Sequence, residues 1–250
     1  MLLYYIRHGD PIYDPDQLTP LGHQQAEALA KRLALFGLDE IYASPCNRAL
    51  QTAKPTCDLL GLEPKILEFL NEEKLGGLKV PVDEKKMDWV WAHPVYSQIF
   101  ASREVRALGD AWYTHPELQA FHFERTLEPI QDSVDLLLAS LGYEHDQEKG
   151  LYKVTQRCPE KRIAIFAHEN IGKILMSRIL DIPYAYYAAH FDMHTSSLTV
   201  IRFDDGNTPG YSGVPGEYAR ARVLTLSNDA HLYREGLPME HRVTHIRDYF

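Results

Sequence analysis

The chain has 250 residues, 45% of them apolar and 24% charged, the balance of a globular protein with room for a sizeable core. Its formal net charge of −9 argues against general affinity for nucleic acid or anionic membrane, so neither partner is expected and an anionic substrate needs a local cationic pocket. Three cysteines, Cys46, Cys57 and Cys158, lack metal-type spacing, no apolar run reaches membrane-spanning length, and no secretory leader precedes the first strand; together these predict reduced thiols in a cytoplasmic protein.

The first strand is predicted at Leu2–Ile6, five bulky residues in a row of the kind a sheet covered on both faces requires. It delivers Arg7, His8 and Gly9 to its carboxyl end, where open α/β sheets hold their ligands. An irregular acidic loop spans Asp10 to Gln17. A helix follows with Thr19 as N-cap and Pro20 in its first turn; it ends at Gly37 and turns Ala26, Leu29, Ala30, Leu33 and Phe36 to the sheet. A short strand at Ile41–Ala43 leads through Ser44 and Pro45 into a helix carrying Arg48, Gln51 and Thr52, which Pro55 is expected to kink or interrupt. A third strand is read over Pro64–Leu70, ahead of Asn71, Glu72, Glu73, Lys74, Gly76 and Gly77.

From about 80 to 125 the pattern loosens into a helical, aromatic-rich insertion broken at Pro94 and Pro116. Its Trp89, Trp91, Tyr96, Phe100, Trp112 and Tyr113 read as a satellite core rather than a ligand-stacking surface. A long helix is predicted at Leu127–Leu141, then a buried strand at Arg162–Ala167 that ends at His168, a helix at Asn170–Leu180 and a strand at Ser197–Phe203. The Gly/Pro-rich stretch Asp205–Gly216 reads as a surface connection, with a lid or a homodimer contact as the alternatives, and Ala221–Leu226 as an edge strand. Strands alternating with helices predict an α/β fold, a three-layer α/β/α sandwich on a mostly parallel sheet. It forms a single domain over 1–250, with the insertion at about 80–125 and a C-terminal extension after about 204.

Strand ends and the segments after them thus offer Arg7 with His8, Arg48, Glu72 and His168 to one rim. Arginine brings a permanently charged planar fork for phosphate or carboxylate, and histidine a nitrogen largely unprotonated near neutral pH. Other chemistries lack their residues: there is no dinucleotide-binding Gly loop, no P-loop and no serine elbow. His168-Glu169-Asn170-Ile171-Gly172 has Gly172 where a zinc helix needs its second histidine, and His190 and His194 stand four apart without a third ligand, so both read as structural. No cofactor and no metal are expected.

These motifs, in this order, resemble the histidine phosphatase superfamily, with its phosphoglycerate mutase-like fold. They are Arg7-His8-Gly9, Leu18-Thr19-Pro20-Leu21-Gly22 with Gln25-Ala26, Ser44-Pro45 with Arg48-Ala49-Leu50-Gln51-Thr52-Ala53, Asn71-Glu72 with Gly76-Gly77, and Ala167-His168. The resemblance implies a metal-independent phosphomonoesterase acting on a small phosphorylated metabolite. His8 would be the nucleophile that forms a phosphohistidine, Arg7, Arg48 and His168 the phosphate grip, and Glu72 the general acid and base, with His168 also among the catalytic residues. Glu72 is preferred to its neighbour Glu73 because it follows Asn71. Three positions depart from the family pattern: Pro11 for a hydroxyl residue, Asp14 for an asparagine, and Glu169 for the glycine after the second histidine. The alternatives are a phosphoglycerate mutase-like phosphotransferase, for which no paired arginines stand ready to bind the carboxylate although Arg103 and Arg106 lie in the insertion, and a catalytically weak phosphate-binding protein.

Overall fold

The computed structural model describes residues 1–84, 86–204 and 217–239. The stretch Asp205–Gly216, read as a connection or lid, lies outside the described residues. In chain order the elements are β1 (Leu2–Arg7), a hairpin of β2 (Pro11–Tyr13) and β3 (Asp16–Leu18), α1 (Pro20–Phe36), β4 (Glu40–Ala43), α2 (Asn47–Leu60) and β5 (Pro64–Ile66). Two 3₁₀ turns, Glu68–Leu70 and Glu72–Leu78, precede the hairpin of β6 (Lys79–Pro81) and β7 (Met87–Trp89). After the short helices α3 (Tyr96–Phe100) and α4 (Arg103–Ala107) come α5 (Phe123–Ser140), β8 (Tyr143–Asp146), β9 (Leu151–Val154), β10 (Arg162–Ala167) and α6 (Glu169–Leu180). The chain continues through α7 (Tyr184–His190), β11 (Leu198–Asp204), β12 (Tyr218–Asn228) and α8 (Ala230–Arg234).

One eight-stranded sheet, in the order β5-β4-β10-β1-β11-β12-β9-β8, organises all of this. Strands β5, β4, β10 and β1 run parallel, whereas β11, β12, β9 and β8 extend the sheet in antiparallel pairs. The pleat divides each central strand between two cores. Tyr4, Ile6, Ala164 and Phe166 pack with Leu29 and Leu33 of α1 and Ala53 and Cys57 of α2. Leu3, Tyr5, Ile163 and Ile165 pack on the other face with Leu127 and Val134 of α5 and Ile171, Ile174 and Leu175 of α6. The result is the expected three-layer sandwich.

Several expectations need correction. Asp10–Gln17 is not irregular: β2 and β3 pair in register from Pro11↔Leu18 to Tyr13↔Asp16. Pro55 does not interrupt α2, because Thr52, Ala53, Thr56 and Cys57 are buried on both sides of it, which outweighs a proline penalty, lost bond and ring clash together, of roughly 3 kcal/mol. The strand read over Pro64–Leu70 stops at Ile66, where the chain tightens into 3₁₀ turns that bring Glu72 inward. The segment read at Ala221–Leu226 is part of a longer strand, β12: it pairs on one side with β11 and keeps its edge character, whereas β9 joins β12 only at Tyr218 and Ala219, with β8 beyond, a hairpin the alternation pattern does not reveal. In the insertion, Trp91, Phe100 and Trp112 do not form a separate satellite; they continue the α5/α6 core, Trp112 lying 4.8 Å from the ring of Phe123.

Candidate active site

The carboxyl ends of β1, β10 and β4 lie side by side, and the ladder runs one residue past each strand. The His8 amide donates to the Ala167 carbonyl at 3.0 Å, and the Ser44 amide to the Phe166 carbonyl at 2.9 Å. His8, Ser44 and His168 therefore stand on the rigid centre of the sheet rather than on free loops. Close backbone packing supports the first turn: a Cβ on Gly22 would lie 2.3 Å from the Asp10 carbonyl oxygen, so only glycine lets α1 approach the His8–Asp10 segment this closely.

His8 is 1% exposed, and its Nδ1 lies 2.8 Å from the Gly9 carbonyl oxygen. A carbonyl only accepts, so Nδ1 carries the proton, and in the neutral ring Nε2 has the lone pair. The His168 ring stands edge-on to it with centroids 5.2 Å apart. His168 places Nε2 at 2.8 Å from Ser44 Oγ, and its Nδ1, with no hydrogen-bond partner, is 3.7 Å from Glu72 Oε2. Burial, with His8 and the two arginines adding to it, holds His168 well below the usual histidine range, so the ring is neutral. The hydroxyl of Tyr5 donates to the His168 carbonyl at 2.6 Å and ties it to the core.

Glu72 is buried, whereas Glu73 points outward and leaves only its amide bonded to Asn71 Oδ1. Glu72 Oε1 accepts from the Asn170 amide at 3.1 Å, and Oε2 lies 3.5 Å from Arg48 Nη2. Burial raises its carboxyl above the ordinary value, against the opposing pull of Arg48 and Arg7. Both arginines already have carboxylate partners: Arg48 meets Asp16 at 2.8 Å, and Arg7 meets Glu169 at 2.6 Å. The Nε atoms of both guanidiniums are buried without partners.

All five predicted site residues, Arg7, His8, Arg48, Glu72 and His168, are thus gathered in one buried cluster at the strand ends. Asp14 is not part of it: it is exposed in the β2–β3 turn, and the acid that reaches the pocket from this hairpin is Asp16. The Asn170 amide is engaged by Glu72, and its side-chain oxygen accepts from Tyr184 at 2.5 Å. Asp16, Lys173 and Tyr184 had no motif to mark them; only their place in space identifies them. Arg106 lies over the Tyr186 ring, and His190 ends α7 while His194 follows in a loop whose amide bonds Ser227, so the two histidines share no helix face. Ligand atoms of His8, Glu72 and His168 lie within 4.8 Å of one another and form a set that could hold a metal ion, as do those of Asp16, Cys46 and Glu73 at the rim. The guanidiniums beside the first set favour an anion there instead.

The family model for the histidine phosphatase superfamily (branch 1) matches residues 3–104. A protein of Hydrogenobacter thermophilus, provisionally named phosphoserine phosphatase 2, is 36% identical over 154 residues, which are 58% of this chain and 68% of the relative. The fold is similar to that of mycobacterial glucosyl-3-phosphoglycerate phosphatase solved with inorganic phosphate, at a TM-score of 0.56, with 21% identity over 92% of this chain and 98% of that one. Phosphoserine phosphatase from Entamoeba histolytica in complex with 3-phosphoglyceric acid is similar at a TM-score of 0.55, with 17% identity over 92% of this chain and 98% of that one. Among the described residues no helix is long and apolar enough to cross a membrane. On the identity and extent of the Hydrogenobacter match, with the family model covering the segment that bears Arg7, His8, Arg48 and Glu72, the chain belongs to the histidine phosphatase superfamily.

Proposed function

We propose that this protein is a metal-independent phosphomonoesterase that cleaves a small phosphorylated metabolite through a phosphohistidine on His8. The observation that carries the reading is the setting of the His8 ring: its Nδ1 lies 2.8 Å from the Gly9 carbonyl oxygen, which suits the tautomer with Nε2 as nucleophile, and ligand atoms of His8, Glu72 and His168 lie within 4.8 Å of one another. Nε2 attacks phosphorus, an N–P bond forms and the ester P–O bond breaks, while Glu72 gives its proton to the departing alkoxide. Water then attacks the phosphohistidine; Glu72 takes its proton, the N–P bond breaks, and phosphate leaves with the enzyme restored. Arg7, Arg48 and the His168 ring stabilise the phosphoryl oxygens as charge builds on them. On this reading the segment from about 80 to 125, as an insertion, shapes leaving-group choice.

The names of the relatives put small carboxylated phosphoesters first among substrates, phosphoserine and phosphoglycerates ahead of nucleotides and sugar phosphates. The test is phosphate release from such a panel, with an aryl phosphate added, in the presence of chelator, for the unmodified protein and His8→Ala. Turnover that survives chelator and disappears together with covalent labelling in the variant is expected. A variant that still labels, or turnover that chelator abolishes, overturns the reading. Transfer that appears only with a bisphosphorylated primer points to the phosphotransferase instead.

A further inference from the structure

The residue after His168 is a glutamate that the catalytic scheme does not use, 4% exposed and set among buried charges. Glu169 Oε2 lies 2.6 Å from Arg7 Nη1, the same nitrogen that donates to the Met193 carbonyl. Its Oε1 lies 3.5 Å from Lys173 Nζ, one turn along α6. Lys173 is itself buried: its ammonium sits 3.8 Å from the centre of the Trp91 ring, donates to the Phe191 carbonyl at 2.6 Å and approaches Asp192 at 3.5 Å. The charged and titratable groups facing Glu169 are therefore Arg7 from β1, Lys173 from its own helix, Asp192 from the segment after α7 and the Tyr184 hydroxyl from α7.

We propose that Glu169 competes with the substrate's phosphoryl group for the Arg7 guanidinium, so that one side chain sets how tightly the pocket holds a dianion. Arg7 next to an ionised Glu169 presents little net charge; with that carboxyl protonated, its full positive charge acts on the pocket. Burial, opposed by Arg7 and reinforced by Asp192, pushes the Glu169 carboxyl up to about 7, so both states are populated near neutrality. Asp16 pairs with Arg48 in a similar way, but its side chain is 22% exposed and also holds the Asn47 amide, so solvent screens it and turn structure occupies it. At an effective dielectric of about 20, one unit charge a few ångströms from a bound dianion changes affinity by about tenfold or more.

The inference rests on the phosphate pocket of the proposed function, but its test needs no turnover. Sulfate, a dianion throughout the working range, is titrated calorimetrically into the unmodified protein and Glu169→Gln at about pH 5.5 and about pH 8.5. Because every other group of the pocket is the same in both proteins, the ratio of the two dissociation constants isolates Glu169. The ratio is expected near one at the lower pH and about tenfold or more, with the variant tighter, at the higher. A ratio that does not change with pH, or a variant that binds more weakly, overturns the inference. Glu169→Ala repeats the comparison if the glutamine variant melts early. The unmodified protein gives an independent reading: sulfate binding near neutral pH takes up a proton, seen as a dependence of binding enthalpy on buffer, and no uptake overturns the inference. A protein that shows the ratio but hydrolyses no ester loses the phosphatase reading and keeps this one; hydrolysis with a flat ratio does the reverse.

Discussion

Glu72→Gln separates proton transfer from the other things this carboxyl does. The replacement has the same shape and keeps an oxygen for the Asn170 amide, which Glu72 accepts at 3.1 Å. What is lost is the proton and a long, 3.5 Å contact with Arg48, which retains Asp16 at 2.8 Å. Burial already opposes the charged form of Glu72, so removing that charge costs the fold little, about 1 kcal/mol. Catalysis is another matter: general acid help of roughly 10²–10⁴-fold corresponds to about 3–5 kcal/mol of barrier. That loss falls on substrates whose departing alkoxide needs a proton, whereas an aryl phosphate leaves as a stabilised anion. The quantity to measure is kcat/KM for an alkyl and an aryl phosphoester, because it reads transfer to His8 and not the later hydrolysis. The alkyl value should fall by two to four orders of magnitude while the aryl value changes little. The phosphohistidine should also accumulate on the aryl substrate, since the second step loses its base. An equal fall on both substrates, with Tm unchanged, would refute the assignment and point to Glu73 or to another acid.

Arg48→Lys should lower kcat/KM by roughly ten- to a hundredfold, since an ammonium cannot hold Asp16 at 2.8 Å and reach the Glu72 side of the pocket together; unchanged kinetics would remove Arg48 from the phosphate grip. Gly172→Ala should destabilise by about 1–3 kcal/mol, because the new Cβ would lie 2.6 Å from both Met193 Sδ and Tyr5 Cε1, and the Tyr5 ring cannot retreat without releasing the His168 carbonyl. A denaturant midpoint equal to that of the unmodified protein would show that the ring moves freely. His145→Gln tests a half-buried cluster on the α5/α6 side of the sheet. Burial alone would lower His145, but its bonds to Asp135 at 3.0 Å and Asp181 at 3.2 Å raise it to about 9. A raised value means stability that is complete below the unfolded value near 6.5 and lost as pH rises through 9, at most about 3 kcal/mol and less because solvent reaches Asp181. The stability gap between the two proteins, measured by denaturant titration, should therefore narrow from pH 6 to about pH 9.5; a gap independent of pH would mean His145 is not charged in the folded state.

The parts of the fold that could be read from the chain are those whose pattern is local. β1 and β10 are uninterrupted apolar runs, and α1 carries its own start and stop in Thr19, Pro20 and Gly37. The β8–β9 hairpin escaped notice because Glu144, His145, Asp146 and Lys153 interrupt its apolar pattern, and only Tyr143 and Tyr152 anchor it in the core. Pro55 misled because the penalty for proline is a local rule, whereas burial against the sheet is a property of the whole helix. At the site, residue type and strand-end position marked His8 and His168. Asp16 and Lys173 were invisible because their importance lies in what they touch, Arg48 in one case and Glu169 with Trp91 in the other.

The parallel register of β1 against β10, from Leu2↔Arg162 to Arg7↔Ala167, brings His8 level with His168 across 160 positions of chain. β10 also separates β1 from β4, so His8, Ser44 and His168 acquire their spacing only when the last of these three strands has docked. Contacts of this sequence separation form late and slow the search for the native state. The cluster is therefore complete only once β10 is in place: a chain interrupted before residue 162 holds Arg7, His8, Arg48 and Glu72 without the strand that aligns them. Recovery of anion binding during refolding should then follow the slowest structural phase rather than precede it, which makes the pocket a reporter of completed folding.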